Sequence, residues 1–119
     1  MNILLILYTL NNLAFGLTAL IAPDRIMRGT KLDALGLSIF QGLGAFGVAT
    51  GVLAWLTRGI TDSTALKAIT LTFVIATLLS AIVNTLSIRS GARPASEWVF
   101  VGVDVAFALA FAYFRFFNL

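Results

Sequence analysis

The sequence contains no cysteine and no histidine. Without cysteine there is no disulfide, no thiolate nucleophile and no cysteine-ligated iron–sulfur cluster. Without histidine there is no imidazole ligand for haem or zinc, and no side chain whose unperturbed titration falls near neutral pH. Charge is scarce as well: Asp, Glu, Lys and Arg make up 11% of the residues, where soluble domains carry about 25%. Most redox and hydrolytic mechanisms lose their usual side chains by these absences. No enzymatic activity, cofactor or metal is therefore expected.

What is abundant is apolar. Hydrophobic residues make up 60% of the 119 positions, and the mean hydropathy is +1.01. A soluble fold of this size has too little interior to hide that surface, so the excess is expected to face lipid. The net charge is +3. The basic residues sit mostly in short connections between apolar runs, where they fit lipid headgroups and set topology, so nucleic acid is not an expected partner.

Four apolar runs stand out, at 3–22, 35–56, 66–88 and 98–117. Each is long enough to cross about 30 Å of hydrocarbon as a helix. A β-barrel needs alternating segments of about ten residues, and none is present. The first run has no basic segment before it and no clear A-x-A site after it, so it reads as a membrane helix and not as a signal peptide. The predicted fold is an all-α, integral membrane four-helix bundle with up-down-up-down topology, a single transmembrane domain over 1–119.

The connections carry helix-end chemistry. Pro23 suits the first turn of a short interfacial helix and Gly29 its end. Thr30 followed by Asp33 has N-cap spacing for the second helix. Thr61, Asp62, Ser63 and Thr64 are candidate caps for the third. Gly91 and Pro94 break the third connection, and Ser96 and Glu97 open the fourth helix.

Arg25, Arg28, Lys31, Arg89 and Arg93 lie on the side of the first and third connections; Arg58, Lys67 and Arg115 lie on the other. The positive-inside rule then puts the first and third connections in the cytoplasm and both termini outside, in a bacterial or archaeal inner membrane. Tyr8, Trp55 and Tyr113 are expected near one interface and Trp98 near the other, as an aromatic belt.

The polar residues within the runs are not scattered. At 100° per residue, Asn12, Gly16 and Ala19 share a face of the first helix. Gln41, Gly44, Gly47, Gly51 and Ala54 fall in one arc of the second. Thr70, Thr77, Ser80, Asn84 and Ser87 form a stripe on the third, and Glu97, Asp104, Ala108 and Arg115 share a face of the fourth. Gln41, Asn84 and Asp104 lie about 6–9 Å below the same surface at 1.5 Å per residue, with Asn12 deeper. This predicts an intramembrane polar cluster of Asn12, Gln41, Asn84 and Asp104, with Arg89 as charged partner.

An acid within a membrane helix has two readings: a site for a proton or a cationic substrate, or a hydrogen-bonding group that holds the helices together. A lone acid cannot form a carboxylate pair for glycoside or two-metal chemistry. Gly44, Gly47 and Gly51 are expected to pack helices closely. Gly42, Ala45 and Ala49 lie on a different face, so the second helix is expected to be packed on two sides, through a central position or a subunit contact. The Phe-rich tail (Phe107, Phe111, Phe114, Phe116, Phe117) suits lipid-facing packing, or alternatively a pocket for a quinone or lipid.

The stretch from Asn12 to Asp24, NLAFGLTALIAPD, resembles the end of the first helix in small bacterial DoxX-like four-helix membrane proteins. The small-residue second helix, the short third connection and the aromatic end of the fourth are similar in layout. The resemblance implies an accessory subunit beside a membrane oxidoreductase or quinone pool, and it carries over no catalytic residues. The expected function is thus a non-enzymatic accessory or scaffolding subunit, as a homo-oligomer or within a larger membrane complex, in contact with membrane lipids. The rivals are a small oligomeric transporter or channel built on Asp104, and a lipid- or quinone-binding component.

Overall fold

The computed structural model describes residues 1–25 and 33–118. Among these the elements are α1 (Asn2–Ile21), a 3₁₀ turn (Pro23–Arg25), α2 (Ala34–Thr57), α3 (Ser63–Arg89), a second 3₁₀ turn (Ala95–Glu97), α4 (Trp98–Tyr113) and a π turn that continues α4 (Phe114–Asn118). No strand occurs among the described residues. Four helices are long and apolar enough to cross a membrane, the last counted from Ala95 to Asn118. The all-α class and the four spans stand as read from the sequence. Arg28, Gly29, Thr30 and Lys31, singled out for the first connection, lie outside the described residues.

Two aspartates start the helices that follow the first two connections. Asp33 accepts a hydrogen bond from the Gly36 amide at 2.7 Å, and Asp62 from the Ala65 amide at 2.8 Å. Each satisfies one orphan N–H and puts negative charge on the positive end of the helix dipole. Of the four candidates before α3, Asp62 is the cap. Pro23 opens a single 3₁₀ turn among the described residues.

By their internal packing the helices fall into two compact units: residues 2–59, and residues from Ile60 onward together with Met1. The first is the α1–α2 hairpin. Its helices are antiparallel, since Asn2 meets Arg58, Thr9 meets Gly51 and Gly16 meets Gly44. The seam is backbone on backbone. A Cβ placed on Gly16 would lie 2.6 Å from the Gly44 carbonyl oxygen and 2.7 Å from the Val48 amide nitrogen. One on Gly44 would lie 2.8 Å from the Ala19 Cβ and 2.9 Å from the Gly16 carbonyl oxygen. Gly47 faces the Gly16 Cα and Gly51 the Leu13 side chain. Ala19 and Ala54 complete the buried stripe. Small residues bring the helices together because lipid supplies no hydrophobic drive for association, leaving close van der Waals contact as the cohesive force. Phe15 and Phe40 pack edge to face at 6.0 Å.

The opposite face of α2 is open. Gly42, Ala45 and Ala49 are exposed, and a Cβ on Gly42 would meet nothing within 4 Å. Within this hairpin the Gly44–Gly47–Gly51 face is the one packed against α1. Tyr8 is corrected from the aromatic belt, since it is buried. Trp55, Trp98 and Tyr113 are exposed as a belt requires, and the Arg58 guanidinium lies 4.2 Å from the centre of the Trp55 ring.

The second unit is the α3–α4 hairpin. It too is antiparallel: Lys67 meets Arg115, Phe73 meets Phe111, and Ser80 meets Asp104. Side chains, not backbone, fill this seam. Phe111 is fully buried, with ring centroids 5.2 Å from Phe73 and 6.2 Å from Phe107. The Arg115 Nε donates to the Lys67 carbonyl at 3.1 Å and ties the π turn to the first turns of α3. The Phe-rich tail therefore divides: Phe111 is core, while Phe116 and Phe117 are exposed.

Candidate functional site

The end of α3 decides where the site forms. Gly91 has φ +83°, a conformation that costs an L-residue with a Cβ and suits glycine. Its amide bonds to the Ile88 carbonyl at 3.1 Å, and the Ala92 amide bonds to the Ser87 carbonyl at 3.0 Å. This is the Schellman pattern. It turns the chain back on α3 within three residues, so that Arg93 returns over Asn84 instead of pointing away. Pro94 then leads into the 3₁₀ turn that starts the fourth span.

Five side chains meet as a result. The Asp104 Oδ2 accepts from the Ser80 hydroxyl at 2.8 Å and from the Asn84 Nδ2 at 3.0 Å. The Asn84 Oδ1 accepts from the Arg93 Nη1. The Arg93 Nε in turn forms an ion pair with the Glu97 Oε2, four residues on. Glu97 is buried, Asn84, Arg93 and Asp104 are half-buried, and Ser80 is exposed. Asp104 lies on the buried stripe of α4 with Glu97, Ala108 and Phe111, so it points at α3. Ser80 lies at the edge of the buried stripe of α3, and the carboxylate is drawn toward that edge.

The sequence placed Asn84 and Asp104 together, and the structure joins them directly. Asn12 belongs to the other hairpin and spends its Nδ2 on the Tyr8 carbonyl at 2.9 Å. Gln41 is on α2, also in the first unit. The charged residue at the site is Arg93 and not Arg89, which is exposed in the last turn of α3. The Schellman turn is the reason: it carries residue 93 back and leaves residue 89 on the outer face. The i, i+4 spacing of Arg93 and Glu97 was the available signal for this pair.

The hydroxyl stripe of α3 also separates into two kinds. Thr70 donates to the Leu66 carbonyl at 2.6 Å and Thr77 to the Phe73 carbonyl at 2.7 Å. Both are buried and satisfied by their own helix. Only Ser80 and Asn84 reach across to α4. Chemically, the arrangement holds one carboxylate with two neutral donors beside a closed Arg–Glu pair. Among the described residues no group of three or more acids is placed to hold a metal ion.

No protein-family model, no curated protein and no solved structure matches the chain.

Proposed function

We propose that the protein is a non-enzymatic membrane subunit that works through assembly, with the α3 edge of its second hairpin covered by another polypeptide in the bilayer. The observation that carries this reading is the half-open Asp104 group. Its donor Ser80 is exposed, and its carboxylate is half-buried six residues into α4. A charged Asp at the bilayer centre costs roughly 2.5–3.5 kcal/mol on insertion scales, and less toward the surface. A polypeptide seated on the edge removes that exposure to hydrocarbon. The open small-residue face of α2 offers a second area for close helix contact. The resemblance to DoxX-like proteins makes a membrane oxidoreductase assembly the first place to seek the partner.

The orientation that fits the Lys and Arg distribution has the first and third connections in the cytoplasm and both termini outside. The chain has no native cysteine, so single cysteines introduced at positions 2 and 59 report the side directly through an impermeant thiol reagent. Native mass spectrometry of the protein, extracted gently from its own membrane, tests the assembly reading. A stoichiometric complex supports it, and a bare monomer overturns it.

A second reading rests on the continuity of the network. Hydrogen bonds and an ion pair run from Asp104 through Asn84 and Arg93 to Glu97, in the turn that opens the fourth span. That is a polar path from the membrane surface to about 9 Å below it. In this reading the chain is a small transporter whose Asp104 relays a proton or cation. Proton-coupled flux in vesicles that is unchanged by Asp104→Asn would end it.

A further inference from the structure

We infer that the partner of the α3 edge is a transmembrane helix with one basic side chain that meets Asp104. The inference rests on the assembly reading and names the chemistry of its partner. It begins from the charges in the network. Among the described residues, Arg93 and Glu97 form the one ion pair. The guanidinium of Arg93 pairs with Glu97 and donates to the Asn84 carbonyl oxygen, and its charge also acts on Asp104 without a direct hydrogen bond. Asp104 receives only neutral donors, Ser80 and Asn84. With both carboxylates ionised the five groups therefore sum to one negative charge, and their single cation, Arg93, is shared between Glu97 and Asp104. In a low-dielectric surrounding such a charge is met by a cation or lost by protonation.

The surface beside it is shaped for a helix. Ala76, Ser80 and Val83 are exposed on α3, and Ser87 is half-buried. They recur at spacings of four, three and four residues, the repeat by which one helix packs along another at a shallow angle. Three of the four are small, which lets a facing backbone come close. The carboxylate sits at the rim of this strip through its bond to Ser80. A Lys or Arg on the facing helix, at the same depth, is thus presented to Asp104. A second copy of this chain fits less well on charge, because it would bring a second unneutralised carboxylate to the first.

The test uses the full chain reconstituted in phosphatidylcholine vesicles, with a donor fluorophore on the protein and an acceptor on a poly-leucine membrane-spanning peptide. Three peptides are compared, carrying Lys, Gln or Leu at a single position six residues from one end. The expected result is association of the Lys peptide about tenfold or more tighter than the Leu peptide, with the Gln peptide near the Leu peptide. Asp104→Asn removes the Lys preference, while Asp104→Glu retains it. Matching helical content and thermal unfolding of both variants show that the fold is kept. Equal binding of the three peptides, a Lys preference that survives Asp104→Asn, or self-association through this edge that is lost in Asp104→Asn would each overturn the inference. A native complex whose partner has no basic residue in its membrane helices overturns the inference and leaves the assembly reading standing. A native monomer overturns both.

Discussion

The two hairpins solve the same problem by opposite means. Both are antiparallel pairs of membrane-length helices with short connections. The α1–α2 pair is closed by shape: at Gly16 and Gly44 there is no room for one more carbon. Within the seam Thr9 and Asn12 bond back to their own helix, at the Leu5 and Tyr8 carbonyls, and the side-chain bond that crosses, Arg58 to Asn2, lies at the end of the hairpin. The α3–α4 pair is closed by side chains: a Phe73–Phe111 contact, an Arg115 tie and the five-membered polar network. A seam made of backbone leaves nothing over for a partner. A seam made of polar side chains leaves a carboxylate at its rim. The difference teaches that one seam is closed by shape alone, while the other leaves a half-buried carboxylate beside an exposed hydroxyl.

That contrast can be broken by substitution, with unfolding followed in mixed detergent micelles. Gly16→Val has the largest expected effect, about 3 kcal/mol at the upper end of the overpacking range, because the neighbours are backbone atoms that cannot rotate away. Arg93→Gln comes next. It leaves Glu97 buried without its cation, and the expected loss is about 2 kcal/mol, below the roughly 3–5 kcal/mol of a fully buried pair. The double change Arg93→Gln with Glu97→Gln recovers part of that loss; a double variant as unstable as the sum of both singles would refute a role for the ion pair. Asp104→Asn removes the charge but keeps an acceptor for Ser80. Its expected cost to the isolated chain is smaller, in the range of roughly 0.6–1.7 kcal/mol seen for hydrogen bonds within membranes. Gly42→Ala on the open face of α2 is expected to change stability by less than about 0.5 kcal/mol. A Gly42→Ala cost equal to that at Gly16 would show that the two faces of α2 are not distinguished.

Much of the fold was legible because hydropathy and length report on membrane crossing directly. The caps were partly legible: Asp62 was one of four candidates before α3, whereas Asp33, read as the partner of a Thr30 cap, is itself the N-cap of α2. Gly44, Gly47 and Gly51 were recognisable as a packing face since a stripe of small residues has few other uses in lipid. The site was only half legible. The periodicity of α3 and α4 paired Asn84 with Asp104, but helical angles alone do not tell a threonine that bonds back to its own carbonyl from a serine that reaches across. Neither do they show the path of a turn. One glycine with positive φ, Gly91, brought Arg93 to the site in place of Arg89.

The central claim is that the α3 edge beside Asp104 is covered by protein, while the exposed face of α4 at Leu109 meets lipid. A photo-reactive amino acid at Val83, on that edge, and another at Leu109, on α4, test it most directly. The two positions are similarly open in the chain, at 59% and 68% exposed, so exposure alone does not separate them. After irradiation in the native membrane, the account predicts a discrete protein adduct from position 83 that disappears in the Asp104→Asn background, and lipid adducts alone from position 109. Lipid adducts alone from both positions would contradict it.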